Sequence, residues 1–505
     1  MSQTMTRTGE SKTEAKTYKN YIGGRWVESK SGKTFNSTNP AHKDQVLGVM
    51  QASNADDVNA AIEAAQKAFP HWRHTPAPAR GEICLKAGLI LEARKEELAR
   101  LMTQEMGKVL KETRGDVQEA IDMAKYAAGF GRRPHGETVP SELRNKMSWT
   151  ERVPLGIVAC ITPWNFPMAI PSWKIFPAVM AGNAVVFKPA SDTPIVATKL
   201  VEILEEAGLP GGVLNLITGS GAEVGDVLVQ DSRIQGISFT GSTAAGKHIA
   251  EIAGRHLKRL GLELGGKNAI VVLDDADIPL AVDGALWAAF GTSGQRCTAA
   301  SRLIVDRKVE RDFTDLLQER AGKMKVGDGL QADTDMGPVI NEGALKKVHE
   351  YTEIGKKEHA RLVHGGDFAG SEGWFYRPTI FADGRKDMRM AQEEIFGPST
   401  LVMPVTNLEE ALDVANSTQY GLSMSIYTND LRKAFHAMEE MQSGIVYVNA
   451  PTIGAEIQLP FGGVKNTGNG HREAGTVALD EFTEWKTIYV DYSGRLQRAQ
   501  IDTGE

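Results

Sequence analysis

Residues 155–162 (LGIVACIT) form a nearly unbroken apolar run, and Ala184–Lys188 (AVVFK), 212–217 and 236–239 repeat the type. Runs this short and this apolar are strands buried on both faces. Helical patterns separate them, as at residues 196–207. A buried strand, a helix and another buried strand imply parallel pairing, with helices over the sheet faces. The expected fold class is therefore α/β with a doubly wound sheet. After Gly265 a second series follows, at 269–273, 303–305, 400–405, 423–427 and 444–448, with helical patterns at 309–324, 408–416 and 431–438. That is a second α/β unit, and no fixed repeat period links the two.

A chain of 505 residues is expected to hold two or three domains. The first unit is expected over 18–140 and 156–265, and the second over 266–450. It opens with two short strands around the GGR of YKNYIGGRWVES, and a helix capped by SNADD at 53–68. Two long amphipathic patterns follow, at 79–107 and 111–132, and a helical pattern is also expected at 247–260. Residues 141–154 (SELRNKMSWTERVP) are strand-like but too polar for a core, as in a protruding arm or edge hairpin. A last strand at 485–492 can complete a sheet with that arm, in one subunit or across a subunit boundary. The arm is thus assigned to 141–155 and 485–505, with 451–484 as a loop and return segment.

The net charge of −7 offers no electrostatic footprint for nucleic acid or an anionic membrane. Three scattered cysteines argue against a disulfide scaffold and fit a reducing compartment. No window approaches the roughly twenty apolar residues of a membrane span. Residues 1–17 are expected to be a polar, disordered tail, in which Glu10 and Glu14 do not suit a targeting peptide. A cytoplasmic protein is expected.

The chemistry gathers between residues 239 and 301. Cys297 lies in GQRCTAAS, where small neighbours would let a substrate reach the sulfur; the other reading is a buried small hydrophobe. Cys84 and Cys160, in helical and strand patterns, fit that second reading well. Arg296 would favour the Cys297 thiolate if it turned toward it. Glu263, in LELGGKN, is a base with a raised pKa if buried, or a surface glutamate at a strand end. Residues 241–246 (GSTAAG), between an apolar strand and a helix, suit a pyrophosphate without matching G-x-G-x-x-G. The second glycine loop, 219–225 (GSGAEVG), reads as a turn beside an adenine or as structure alone. Asn165, fixed in TPWNFP, can donate to an oxyanion or bond its own backbone. Lys188 ends a strand where open α/β sheets bind ligands, or simply faces solvent.

Together these stretches closely resemble the aldehyde dehydrogenase superfamily, over residues 18–492. The motifs TPWNFP, VVFKPAS, FTGSTAAG, LELGGK, GQRC, EEIFGP and PFGGVKNTG occur in that order, which no single motif would match in specificity. The likeness implies two Rossmann-like domains, for cofactor and for catalysis, plus a β-strand oligomerisation arm and a dimer or tetramer. It makes Cys297 the nucleophile, Glu263 the base, and Asn165 with the Cys297 amide the oxyanion hole. Ile161, Thr162, Pro163 and Trp164 would line the cofactor cleft. Lys188, with Ser191 and Gly225 near it, would serve the adenosine half. Gly241, Ser242 and Leu264 would serve the pyrophosphate region, and Glu394 with Phe396 the nicotinamide ribose. Phe166, Trp173 and Phe461 resemble a substrate tunnel; no metal is expected. Implied is oxidation of an aldehyde by NAD(P) through a thiohemiacetal and a thioester. The alternatives are a broad-specificity aldehyde dehydrogenase, a cofactor-independent thiol esterase and a non-catalytic descendant. A CoA-acylating relative would be expected to lack Glu263.

Two details narrow the expectation. NAD-preferring relatives often carry a glutamate where this chain has Ser191; serine leaves room for a 2′-phosphate, so NADP is expected to be preferred and NAD accepted. Arg296 beside the nucleophile can clamp a substrate carboxylate, or turn away to pair with an acid. Residues 451–463 and the later HREAG resemble semialdehyde dehydrogenases, so 2-oxoglutarate semialdehyde is expected first and succinic semialdehyde second.

Overall fold

The computed structural model describes residues 15–133 and 135–502. It contains two seven-stranded sheets. In the first, Ile157–Ile161, Ala184–Lys188, Leu214–Leu216, Ile234–Thr240 and Arg259–Glu263 run parallel, with Asn20–Ile22 and Arg25–Val27 added antiparallel at one edge. In the second, Thr379–Ala382, Ser399–Val405, Ala300–Asp306, Asn268–Val272, Ser423–Tyr427 and Ile445–Val448 are parallel, and Arg361–His364 closes an edge antiparallel. Apolar clusters cover both faces of each sheet, which is why the central strands read as continuous apolar runs.

Several elements differ from the sequence reading. The helix expected at 247–260 runs Thr243–Arg255, because Ser242 caps it by accepting from Ala245 N at 3.3 Å. It stops before Leu257, which takes a left-handed φ of 51°. Residues Arg259–Glu263 are then a parallel strand, so Glu263 ends a strand rather than following a helix. The pattern at 79–107 is two helices, Ala77–Ala93 and Lys95–Met106, parted at Arg94. A hairpin of Thr34–Asn39 and His42–Gln51 and the helices Ile278–Phe290 and Glu342–Lys357 had no distinct signal. Most of the expected tail, residues 1–14, lies outside the described residues; Thr17 bridges to Val49.

The arm forms within one chain. Thr483–Asp491 pairs antiparallel with Lys146–Pro154 from Thr483↔Pro154 to Asp491↔Lys146, and Thr138–Val139 adds a third strand. No helix among the described residues is long and apolar enough to cross a membrane.

Candidate active site

The carboxyl ends of the first sheet's parallel strands present Thr162–Asn165, Lys188–Ser191, Gly241–Ser242 and Glu263–Gly265. Opposite lie the segments that lead into strands of the second sheet: Gly266 and Lys267 before Asn268, Cys297 before Ala300, and Glu394–Phe396 before Ser399. Two sets of loops from different sheets thus enclose one cleft. Pro163, Trp164, Gly241, Ser242, Glu394 and Phe396 all line it, and Cys297 sits at its inner end.

Close backbone approach holds the Cys297 loop. A Cβ on Gly294, which has φ 68°, would lie 2.1 Å from the Gly397 carbonyl oxygen. Only glycine lets the cysteine loop pack on the loop that carries Glu394 and Phe396. Thr292 and Ser293 just before it also take left-handed φ angles, of 53° and 55°, the kind of backbone strain that clusters at functional sites. Asn268 Nδ2 donates to the Cys297 carbonyl at 2.7 Å and to that of Ala299 at 3.0 Å.

Cys297 is partly buried and opens both onto the cleft and onto a second cavity lined by Phe166, Trp173, Glu263, Phe461, Glu119 and Glu473. Burial, with the charges of Glu263 and Glu394, pushes its thiol up to about 12. The Arg296 charge opposes that rise, but less than the other groups around the thiol act on it. Cys84 and Cys160 are fully buried, and burial raises both thiols. Asn165 Nδ2 donates one hydrogen to the Gln295 carbonyl at 3.1 Å, and its second hydrogen has no partner among the described residues. Both Glu263 carboxylate oxygens are buried without a partner among the described residues. Burial, and next the charge of Glu473, holds this carboxyl well above the ordinary range.

Trp173 and Phe461 pack edge to face at 5.1 Å and Trp164 and Phe396 at 5.5 Å, forming apolar walls on either side of Cys297. Trp173 is placed by helix Ala169–Ala181, whose first amide donates to Asp116 at 2.8 Å. Arg296 lines the same cavity as Phe166. Its Nε donates to Thr292 Oγ1 at 2.9 Å, its Nη2 lies 3.4 Å from Glu112, and its guanidinium stacks over Trp287 and Phe166. Nη1 has no hydrogen bond among the described residues. Glu112 also accepts the Thr292 amide at 2.9 Å, so one carboxylate serves two groups.

The cleft suits an anionic dinucleotide. The Lys188 ammonium is buried and, among the described residues, donates only to the Pro189 carbonyl, at 3.1 Å; burial lowers its pKa to about 8. Ser191 Oγ donates to the Gly219 carbonyl at 3.0 Å, bringing the second glycine loop beside Lys188; that loop is a single helical turn ending at Gly225. The buried hydroxyls of Thr162, Thr240 and Thr243 have no partner among the described residues. Ile161 ends its strand, while Leu264 is pinned by its amide to the Thr467 carbonyl at 2.7 Å. Glu394 accepts the Gly266 amide at 2.9 Å.

The sequence reading did not single out Glu112, Glu119, Lys174, Lys347 or Glu473. Glu112, Glu119, Lys174 and Lys347, the last lining the cleft, are isolated charged residues on helices, with no local pattern to mark them. Only Glu473 had a signal, its place in HREAG.

Comparison with known proteins gives one answer. The model of the Aldehyde dehydrogenase family matches residues 26–488. The 2,5-dioxopentanoate dehydrogenase of Saccharolobus solfataricus is 44% identical over 93% of this chain and 98% of its own. The alpha-ketoglutaric semialdehyde dehydrogenase of Bacillus subtilis is 41% identical over 95% and 99%. Betaine aldehyde dehydrogenase of Staphylococcus aureus, solved with NAD+, superposes with a TM-score of 0.92 at 36% identity, over 95% of this chain and 97% of the other.

Proposed function

This chain belongs to the aldehyde dehydrogenase family and oxidises an aldehyde to its acid with NAD(P), and we propose that Cys297 performs this on a short aldehyde bearing a second carboxylate. The observation that carries the substrate reading is Arg296: a cation lining the Cys297 cavity, held by Thr292 and Glu112 with one edge free. A guanidinium fixed this way keeps one nitrogen for a substrate carboxylate. The names of the two semialdehyde-oxidising relatives agree with this reading. The first substrate is 2-oxoglutarate semialdehyde and the second succinic semialdehyde.

In this reading Cys297 loses its thiol proton to solvent, Sγ adds to the aldehyde carbon, and the remaining Asn165 amide hydrogen meets the developing oxyanion. Nicotinamide bound in this cleft would supply the hydride acceptor. A thioester then remains on Cys297. Glu263 takes a proton from water, whose oxygen attacks the thioester carbon; the C–S bond breaks and the acid leaves. Lys188 and Ser191 would hold the adenosine end, Glu394 and Phe396 the nicotinamide end. Ser191 presents no carboxylate against a 2′-phosphate and Lys188 offers a cation, which supports NADP over NAD. The exposed arm residues Trp485, Tyr489 and Tyr492 support a homo-oligomer, dimer or tetramer.

A panel of aldehydes assayed with each cofactor tests the reading. Acid semialdehydes and NADP should give the highest kcat/KM. Arg296→Ala should cut kcat/KM for acid semialdehydes by about ten- to a hundredfold and leave uncharged aldehydes of equal length nearly unchanged. A parent enzyme that favours hexanal or benzaldehyde would overturn the substrate reading. An NAD preference of about a hundredfold would overturn the cofactor reading.

A further inference from the structure

Helix Leu110–Phe130 carries Glu112, Asp116 and Glu119 on one side, because positions i, i+4 and i+7 share a helix face. Two cations meet these three acids. Asp116 takes Lys108 in a fully buried pair at 2.7 Å, and the same ammonium stacks over the Phe166 ring. Glu112 takes Arg296 at 3.4 Å together with the Thr292 amide. Glu119 is left over. It lines the Cys297 cavity with Phe166 and Arg296, and it is partly buried. Its carboxyl has no hydrogen bond or ion pair among the described residues.

Two cations against three acids leave one acid uncompensated, in a cavity that must also admit the carboxylate of the proposed substrate. A further negative charge is accommodated best when the unpaired acid is neutral. Burial first, and next the Asp116 charge, push the Glu119 carboxyl up to about 8, against the opposing charges of Lys108 and Arg296. Near neutral pH Glu119 therefore keeps its proton and has an O–H to donate.

We propose that neutral Glu119 is the second ligand of the substrate carboxylate, so that an acid semialdehyde binds together with a proton. This rests on Arg296 as the substrate clamp. Arg296 Nη1 takes one carboxylate oxygen, and the Glu119 O–H donates to the other in a charge-assisted bond. Once ionised, Glu119 offers only acceptors and repels the substrate. No covalent bond to carbon changes; a proton from solvent resides on Glu119 while the substrate is bound. The charged groups facing Glu119 are Asp116 and Asp122 on its own helix, Lys108 before that helix, and Arg296 on the Cys297 loop. Glu263 and Glu473 line the same cavity.

The sign of the pH dependence follows. Below its pKa Glu119 already holds the proton that binding requires; above it, that proton must be taken up, and affinity for the carboxylate falls. The test is kcat/KM of the full chain for succinic semialdehyde and for butanal with saturating cofactor, from about pH 6.5 to 10. The substrate carboxylate is ionised throughout this range. Titration of Cys297 acts on both aldehydes and cancels in the ratio of the two values, as does any misfolded fraction. In the parent the ratio of succinic semialdehyde to butanal should be level up to about pH 8, then fall about tenfold per unit. Glu119→Gln keeps a donor and cannot ionise, so its ratio should stay level throughout and within about threefold of the parent's value at low pH. Glu119→Ala should be level and about tenfold lower. A parent ratio that never falls, the same fall in Glu119→Gln, or a Glu119→Ala ratio equal to the parent's at low pH would overturn the proposal. A parent that does not favour succinic semialdehyde at any pH, with a ratio unaltered by Arg296→Ala, would overturn the Arg296 clamp itself and this proposal with it.

Discussion

Burial shifts the titration of Cys297 and Glu263 as much as residue type sets it. In the free enzyme the thiol, pushed up to about 12, is protonated near neutral pH. Alkylation by iodoacetamide should therefore be slow at neutral pH and climb steadily through the alkaline range, as mass spectrometry of the modified peptide would show. Cys84 and Cys160 should stay unmodified until the chain unfolds, because both are fully buried. Cys297→Ala should lose all aldehyde oxidation; appreciable turnover would remove it as nucleophile. Glu263 must be ionised to take a proton, and burial raises its carboxyl pKa. Thioester hydrolysis should accordingly rise with pH through that raised pKa and fall below it, while Glu263→Gln should give a hydride burst followed by slow turnover. The sequence marked both residues, through small neighbours on one and leucines and glycines around the other. It left Arg296 open between substrate and acid, because Glu112 is 184 positions away.

At the scale of elements, Arg302 joins parts of the second sheet that local sequence keeps apart. It is buried in strand Ala300–Asp306 and donates to the carbonyls of Lys267, Val414 and Ala415 at 2.7–3.0 Å. The strand after Cys297 is thereby tied to the GGK turn after Glu263 and to the carboxyl end of helix Leu408–Asn416, where a cation is favoured. Arg302→Met would strand those carbonyls and should destabilise the protein by about 2–4 kcal/mol in urea unfolding. Asn54→Ala offers a contrast. It removes one side of the capping box on helix Ala55–Trp72 and should cost about 1 kcal/mol. That cap was readable from SNADD, whereas nothing near Arg302 announced its role. Periodicity likewise gave strands and helices but missed the strand Arg259–Glu263, whose short, half-polar RLGLE is helical or extended according to what it packs against.

Over the whole molecule, the active cleft exists only because the carboxyl edge of one sheet faces the entry loops of the other. The arm leaves large aromatic side chains exposed, with Trp485 at 55% and Tyr489 at 65% on strand Thr483–Asp491 and Tyr492 at 61% just past it. Trp485→Ser combined with Tyr489→Ser should lower the mass seen by light scattering, while circular dichroism stays unchanged; an unaltered mass would place the subunit contact elsewhere. The sequence by itself determined the α/β class, most of the central strands with helices between them, and the glycine turns at strand ends. These depend on spacing over a few residues, where the chain's own geometry sets what faces inward. Only the tertiary structure decided which charges share a partner: Arg296 with Glu112, and Lys174 with Glu473, 299 positions apart. It alone set how deeply Glu263 and Cys297 are buried as well. Burial and pairing depend on groups brought together from distant parts of the chain, and local spacing carries no record of them.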